Sequence, residues 1–228
     1  MLLQAIELNT QALCTLANGK SGRATVDALK QAMEIMEALY EDRTIMDCSK
    51  ATEDGRLQCR AVSMPDLYDE HFFIFNHALL FDPVVVSTSP SGIVGPSDMA
   101  YGCAVLTFNM ALAYHQIGIQ TGSSKKLKTS CLLYGKVAEM TSAAVASRSD
   151  LSVLHLIALN NAAQIQYSQA RFVACDELFS HVRYILQFPD LLESSTDQLV
   201  QSVLASGDID EIKLNTVVCN TPSTAPTA

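Results

Sequence analysis

Residues 71–81 read HFFIFNHALLF, and the fold turns on whether that stretch is a strand or a helix. Its Phe and Ile content, followed by Asp82-Pro83, favours a β-strand. Phe75-Asn76-His77-Ala78-Leu79 matches Phe108-Asn109-Met110-Ala111-Leu112 at an offset of 33 residues (108 minus 75), which suits a helical repeat instead. The residues beyond Phe81 decide between them. Val84 to Asp98 holds Pro90, Gly92, Gly95 and Pro96, so no partner helix can follow. A strand is therefore expected over 71–81. A lone strand leaves its N–H and C=O groups unpaired, and the weakly alternating Ile209–Val218 is the available partner. The sequence predicts a small ribbon pairing 71–81 with 211–218.

Around this ribbon the chain reads as helix. Leu2, Leu3, Ile6, Leu13 and Leu16 lie at roughly helical spacing over 2–17, and Val26, Leu29, Met33, Met36, Leu39 and Tyr40 do so over 23–46. Residues 47–70 lose periodicity and gain charge, as a loop does. Helical patterning returns over 98–118, 125–146, 149–168 and 171–188, and Ser195–Leu204 suits a short capping helix. The expected architecture is one mainly all-α domain, 1–228. A first helix pair covers 1–46, a loop and strand insertion 47–97, a second pair 98–146 and a third 149–192. A capping segment, strand and frayed tail complete 193–228.

Asn18-Gly19-Lys20-Ser21 contains the end of a phosphate-binding loop. The full motif needs a further glycine five residues before Gly19, where Cys14 stands, and a strand before the loop, where a helix is expected. The stretch reads as the turn of the first helix pair. Hydrophobic residues make up 49% of the chain and charged residues 17%, so a folded chain is expected. The net charge of −9, with only Lys125, Lys126 and Lys128 clustered, disfavours a nucleic-acid groove. Seven scattered cysteines without a CxxC pair point to buried thiols in a reducing, cytoplasmic setting. The opening Met1–Glu7 lacks a basic region and a long apolar run, so a signal peptide is not expected. Met99–Ser124 carries no Lys, Arg, Asp or Glu, yet it includes Asn109, His115, Gln116 and Gln120. Such groups are costly in hydrocarbon, so a buried helix is expected and not a membrane span. His71, His77, His115, His155, His181 and the Ser residues form no HExxH pair or GxSxG elbow, so neither a metal, a cofactor nor a catalytic residue is assigned.

An internal similarity remains. Asn109 precedes Ala111 in one helix and Asn161 precedes Ala163 in another. The helices that follow mix small and aromatic residues: Cys131, Tyr134, Val137 and Ala138, then Cys175, Phe179 and Val182. In this the chain resembles the tetratricopeptide-repeat family. Ala163, Phe172, Cys175, Phe179 and Val182 carry the likeness best; Ala111, Tyr114, Gly118, Tyr134 and Ala138 carry it in the second pair. The whole pattern, with FxIFNxALxF between helix pairs, also resembles a group of algal proteins to which no activity attaches. The resemblance implies a short α-solenoid of about three antiparallel helix hairpins and a non-catalytic scaffold. Its groove would take a peptide or helix of a partner protein, with Asn109, Ala113, His115, Asn161 and Gln164 as contacts. The groove helices lack Lys and Arg, so a chaperone's carboxylate tail is not the expected ligand. The alternative is an enzyme or small-ligand protein with a pocket lined by His115, Tyr114 and Asn109.

Overall fold

A computed structural model describes residues 1–18, 22–44, 57–64, 73–82, 95–145, 148–188, 192 and 195–218. Among these residues the chain is mainly helical, with one two-stranded antiparallel sheet. The helices are α1 Leu2–Ala17, α2 Arg23–Thr44, α3 Pro96–Thr121, α4 Ser124–Thr141, α5 Ser149–Ser168, α6 Phe172–Ile185, α7 Gln198–Ser206 and α8 Asp208–Val218. Between α2 and α3 lie β1 Cys59–Ser63 and β2 His77–Phe81.

Local chemistry sets several of these ends. α3 opens on Pro96, whose missing N–H costs nothing in a first turn, with Asp98 at the positive end of the helix. It closes on Gly122 in the left-handed region at φ 61°. The Ser123 hydroxyl then accepts the Lys126 N–H to start α4. The Asp197 carboxylate accepts the N–H groups of Leu199 and Val200 to start α7, and Gly207 at φ 80° ends it.

Each of the first five helices packs against the next. α1 does so through Ala5, Ile6, Ala12, Leu13 and Leu16 along one stripe. α3 and α5 are different: Tyr101–Ala113 and Asp150–Ile165 are buried on every side. That explains the charge-free stretch of α3, which is core. No helix among the described residues is long and apolar enough to cross a membrane. α3 meets α4 closely at Gly118, where an added Cβ would lie 2.8 Å from Leu127 Cγ and 3.1 Å from its main-chain nitrogen. Gly118→Ala should cost about 1–3 kcal/mol by forcing the two helices apart. Gly135→Ala, in open space on α4, should instead add about 0.5–1 kcal/mol of helix propensity. Urea titration of both variants checks this contrast.

The sheet corrects one expectation and fulfils another in part. β2 lies within 71–81, and its partner is β1 with Cys59 opposite Phe81 and Ser63 opposite His77. The expected strand 211–218 is the helix α8. Asp208, Asp210 and Glu211 favour a helix start there. Ile209, Ile212, Asn215 and Thr216 are buried at helical and not alternating spacing. β1 falls in a region that reads as loop, because Arg60 and the flanking charges interrupt its short apolar run. The two segments expected to pair do meet, but through the side chain of Asn215. The turn around Gly19–Ser21, Pro189 and the TPSTAPTA tail lie outside the described residues.

Candidate functional site

Alternate residues of an antiparallel strand turn both their N–H and their C=O to the same edge. The even residues of 73–82 face β1: Met64 N–H donates to the Asn76 carbonyl at 2.9 Å and Asp82 N–H to the Gln58 carbonyl at 3.0 Å. The odd residues face the other way. Among the described residues no strand lies there, and asparagine side chains take its place at Phe73, Phe75 and Leu79.

Leu79 N–H donates to Asn109 Oδ1 at 2.8 Å, and the Leu79 carbonyl accepts from Asn109 Nδ2 at 2.7 Å and Asn9 Nδ2 at 3.2 Å. Phe75 N–H donates to Asn161 Oδ1 at 2.9 Å, and its carbonyl accepts from Asn161 Nδ2 at 3.0 Å. Phe73 N–H donates to Asn215 Oδ1 at 3.0 Å, and its carbonyl accepts from Asn215 Nδ2 at 2.8 Å and Asn160 Nδ2 at 3.2 Å. A carboxamide carries one acceptor and two donors on a planar group, as a peptide unit carries one of each. Each asparagine therefore stands in for a residue of a neighbouring strand.

The asparagines also bond to one another and to their surroundings. Asn109 Nδ2 donates to Asn9 Oδ1 at 2.9 Å, joining α3 to α1. Asn215 Nδ2 donates to Asn160 Oδ1 at 2.7 Å, joining α8 to α5. Asn161 Nδ2 donates to Tyr134 Oη at 3.1 Å. Burial pushes the Tyr134 phenol far above its ordinary range, so it stays protonated at any physiological pH. Its ring closes an aromatic run with Phe108 at 5.4 Å and His115 at 5.9 Å, and Phe108 meets Phe75 at 6.0 Å.

Of the residues assigned to partner contact, Asn109 and Asn161 bond to this strand. His115 Nε2 and Gln164 Oε1 are 3.0 Å apart across α3 and α5. Ala113 is packed in the core. All five, Asn109, Ala113, His115, Asn161 and Gln164, are buried. The two asparagines hold the chain's own strand here. Tyr114 is half-buried, with Lys126 Nζ 4.8 Å above its ring. His155 bonds to Thr141 Oγ1 at 2.8 Å and not to His115. Sequence reasoning missed Asn9, Asn160 and Asn215. Their signal was an amide among apolar helix residues: Asn9 sits among Ala5, Ile6, Ala12 and Leu13, and Asn160 stands between Leu159 and Asn161.

A second polar cluster pins β1 to α3. Cys59 Sγ and Tyr101 Oη are 2.7 Å apart, and the Arg148 guanidinium lies 5.3 Å from the Tyr101 ring centre while pairing with Asp150 and Asp98. Burial pushes the Cys59 thiol far above its ordinary range and the Cys103 thiol up to about 11, so neither is a thiolate at neutral pH. Among the described residues, no three or more His, Cys, Asp or Glu side chains gather as a metal centre does.

Compared with protein-family models, curated proteins and solved structures, the chain matches none. The reading of its role rests on its own geometry.

Proposed function

We propose that this protein is a non-catalytic interaction module, a short tetratricopeptide-like solenoid that binds a partner protein on its outer surface. The groove expected to receive a peptide is lined by Asn109 and Asn161, and those amides are engaged with Phe75 and Leu79. A foreign segment entering there would have to expel buried core. The binding face therefore moves outward, to α6 and α8.

One observation carries this reading. Large apolar side chains crowd the exposed surface of these two helices: Phe172, Val173, Tyr184 and Phe188 on or just beyond α6, and Leu214 and Val217 on α8. α6 packs against α8, and Arg183 Nη1 donates to the Thr216 carbonyl between them. Val173 is 77% exposed and Tyr184 61%, far more than a residue needed for packing. Glu177 and Glu211 are exposed beside them, while Asp176 pairs with Arg183 and Asp210 with Lys213. An amphipathic helix with basic flanks has the matching chemistry.

The test is co-purification of the tagged protein from its own cells beside a Val173→Glu/Tyr184→Ala/Val217→Glu variant. Exposed substitutions of this kind usually change stability by less than about 0.5 kcal/mol each. The expected result is a stoichiometric partner that is lost from this variant and kept by Leu132→Glu, an exposed change on α4. A partner retained by the triple variant would overturn the assignment of the face.

A further inference from the structure

Residues 99–138 and 151–175 contain no Asp or Glu, in a chain with 24 acidic and 15 basic residues. The fold brings the cations of these two stretches to one end. Cys131 meets Gln166 and Thr141 meets His155, so α4 and α5 run antiparallel. The start of α4 therefore lies beside the end of α5. Lys125, Lys126 and Lys128 stand at the start of α4. Arg171 follows the end of α5. Its N–H donates to the Gln166 carbonyl at 2.9 Å, and Gln166 Nε2 donates to Cys131 Sγ at 3.1 Å. Burial pushes the Cys131 thiol up, and the Gln166 amide and the Arg171 charge pull it back, in keeping with that placement.

These cations differ from the others. Among the described residues, Arg23, Lys136, Arg148, Arg183 and Lys213 each pair with a carboxylate, whereas Lys125, Lys126, Lys128 and Arg171 pair with none. Lys125, Lys128 and Arg171 are exposed, and Lys126 Nζ is held 4.8 Å above the Tyr114 ring. In the α5–α6 turn, Gln169 Nε2 is covered and has no acceptor among the described residues. We propose that this end of the molecule docks a short acidic segment of a partner protein, its Asp or Glu carboxylates set against the four cations. Charge complementarity selects that partner. An extended nucleic-acid backbone would meet the repulsion of a chain with net charge −9. An anionic membrane that took up the exposed Phe172 and Val173 beside Arg171 would also meet the exposed Glu177, one turn further along α6. A short segment can engage the cations and avoid that carboxylate. The surface is a separate one from α8 and does not rest on the reading of the α6–α8 face.

Fluorescence anisotropy of the full chain with a labelled peptide of alternating Glu and Ala tests this. The expected result is binding that weakens as salt is added. It should fall about ten-fold in Lys125→Glu/Lys128→Glu/Arg171→Glu. Lys30→Glu/Arg60→Glu reverses exposed cations elsewhere and should bind as the wild-type chain does. Leu214→Glu/Val217→Glu on α8 should do the same, which separates this surface from the α6–α8 face. All of these side chains are exposed, so urea unfolding should show each variant folded. The same peptide with Gln in place of Glu should not bind. No binding by the wild-type chain, or equal binding by the wild-type chain and the triple variant, would overturn the proposal. So would an equal loss in Lys30→Glu/Arg60→Glu, which would trace the binding to net charge alone. Tighter binding of single-stranded RNA or of phosphatidylserine vesicles through the same three residues would also overturn it, and would assign the surface to phosphate groups.

Discussion

Asn161→Ala is expected to destabilise the protein by about 4 kcal/mol. The change strips the partners from Phe75 N–H and Phe75 C=O, both buried, and one of two from Tyr134 Oη, which keeps Ser130. Each buried polar group left without a partner costs about 1–3 kcal/mol, and water cannot enter to replace the amide without opening the core. Against a total stability of about 5–15 kcal/mol for a typical domain, this is a large loss. Asn161→Leu keeps the volume but satisfies neither group, so it should be no better. Asn161→Asp keeps an acceptor for Phe75 N–H but sets a carboxylate against the Phe75 carbonyl, so it too should destabilise. Urea unfolding measures all three. A loss below about 1 kcal/mol for Asn161→Ala would mean that the amide is not the strand's partner.

Phe75→Ala should cost about 3–5 kcal/mol. Its side chain is fully buried, packed edge-on against Phe108 and tilted against His77. Truncation removes the ring from the centre of the aromatic run and leaves a cavity between the strand and α3. Phe188→Ala is the control. That ring is 48% exposed, and its loss should change stability by less than about 0.5 kcal/mol. Similar losses for the two variants would contradict the placement of the strand at the core.

Most helices were legible because their signals are local. The stripe of α1 and the Asn18-Gly19 that follows it need no knowledge of the rest of the chain. Residues 149–168 carry their helix limits in Ser147-Arg148-Ser149 and Ser168-Gln169-Ala170. The strand character of β2 was legible too, from its composition. Its partner was not. Strand pairing is a long-range choice, and β1 is five residues long with the charged Arg60 as its second residue. The helix α8 was obscured because, along with Ile209 and Ile212, the polar Asn215 and Thr216 are buried. A hydrophobicity pattern discounts both of them.

The site was half legible. Asn109 and Asn161 stood out because they recur in matched positions, and both do point at an extended segment. Its identity could not be read, since the contacts span as many as 142 residues of sequence, from Phe73 to Asn215. Asn9, Asn160 and Asn215 belong to no repeat, and only the fold brings them under the strand. Expecting an external ligand for Asn109 and Asn161 followed from the resemblance. The fold places the chain's own residues there first.

The central claim is that asparagine side chains replace a neighbouring strand along the odd edge of 73–81. Amide hydrogen exchange, resolved residue by residue by NMR, tests it most directly. Phe75 and Leu79 have no β1 partner for their N–H groups, so only Asn161 and Asn109 can protect them. The account predicts that both amides exchange as slowly as those of α3 and α5, and that Asn161→Ala accelerates Phe75 in particular. Fast exchange at Phe75 and Leu79 in the wild-type protein, beside slow exchange at Ala78 and Leu80, would contradict it.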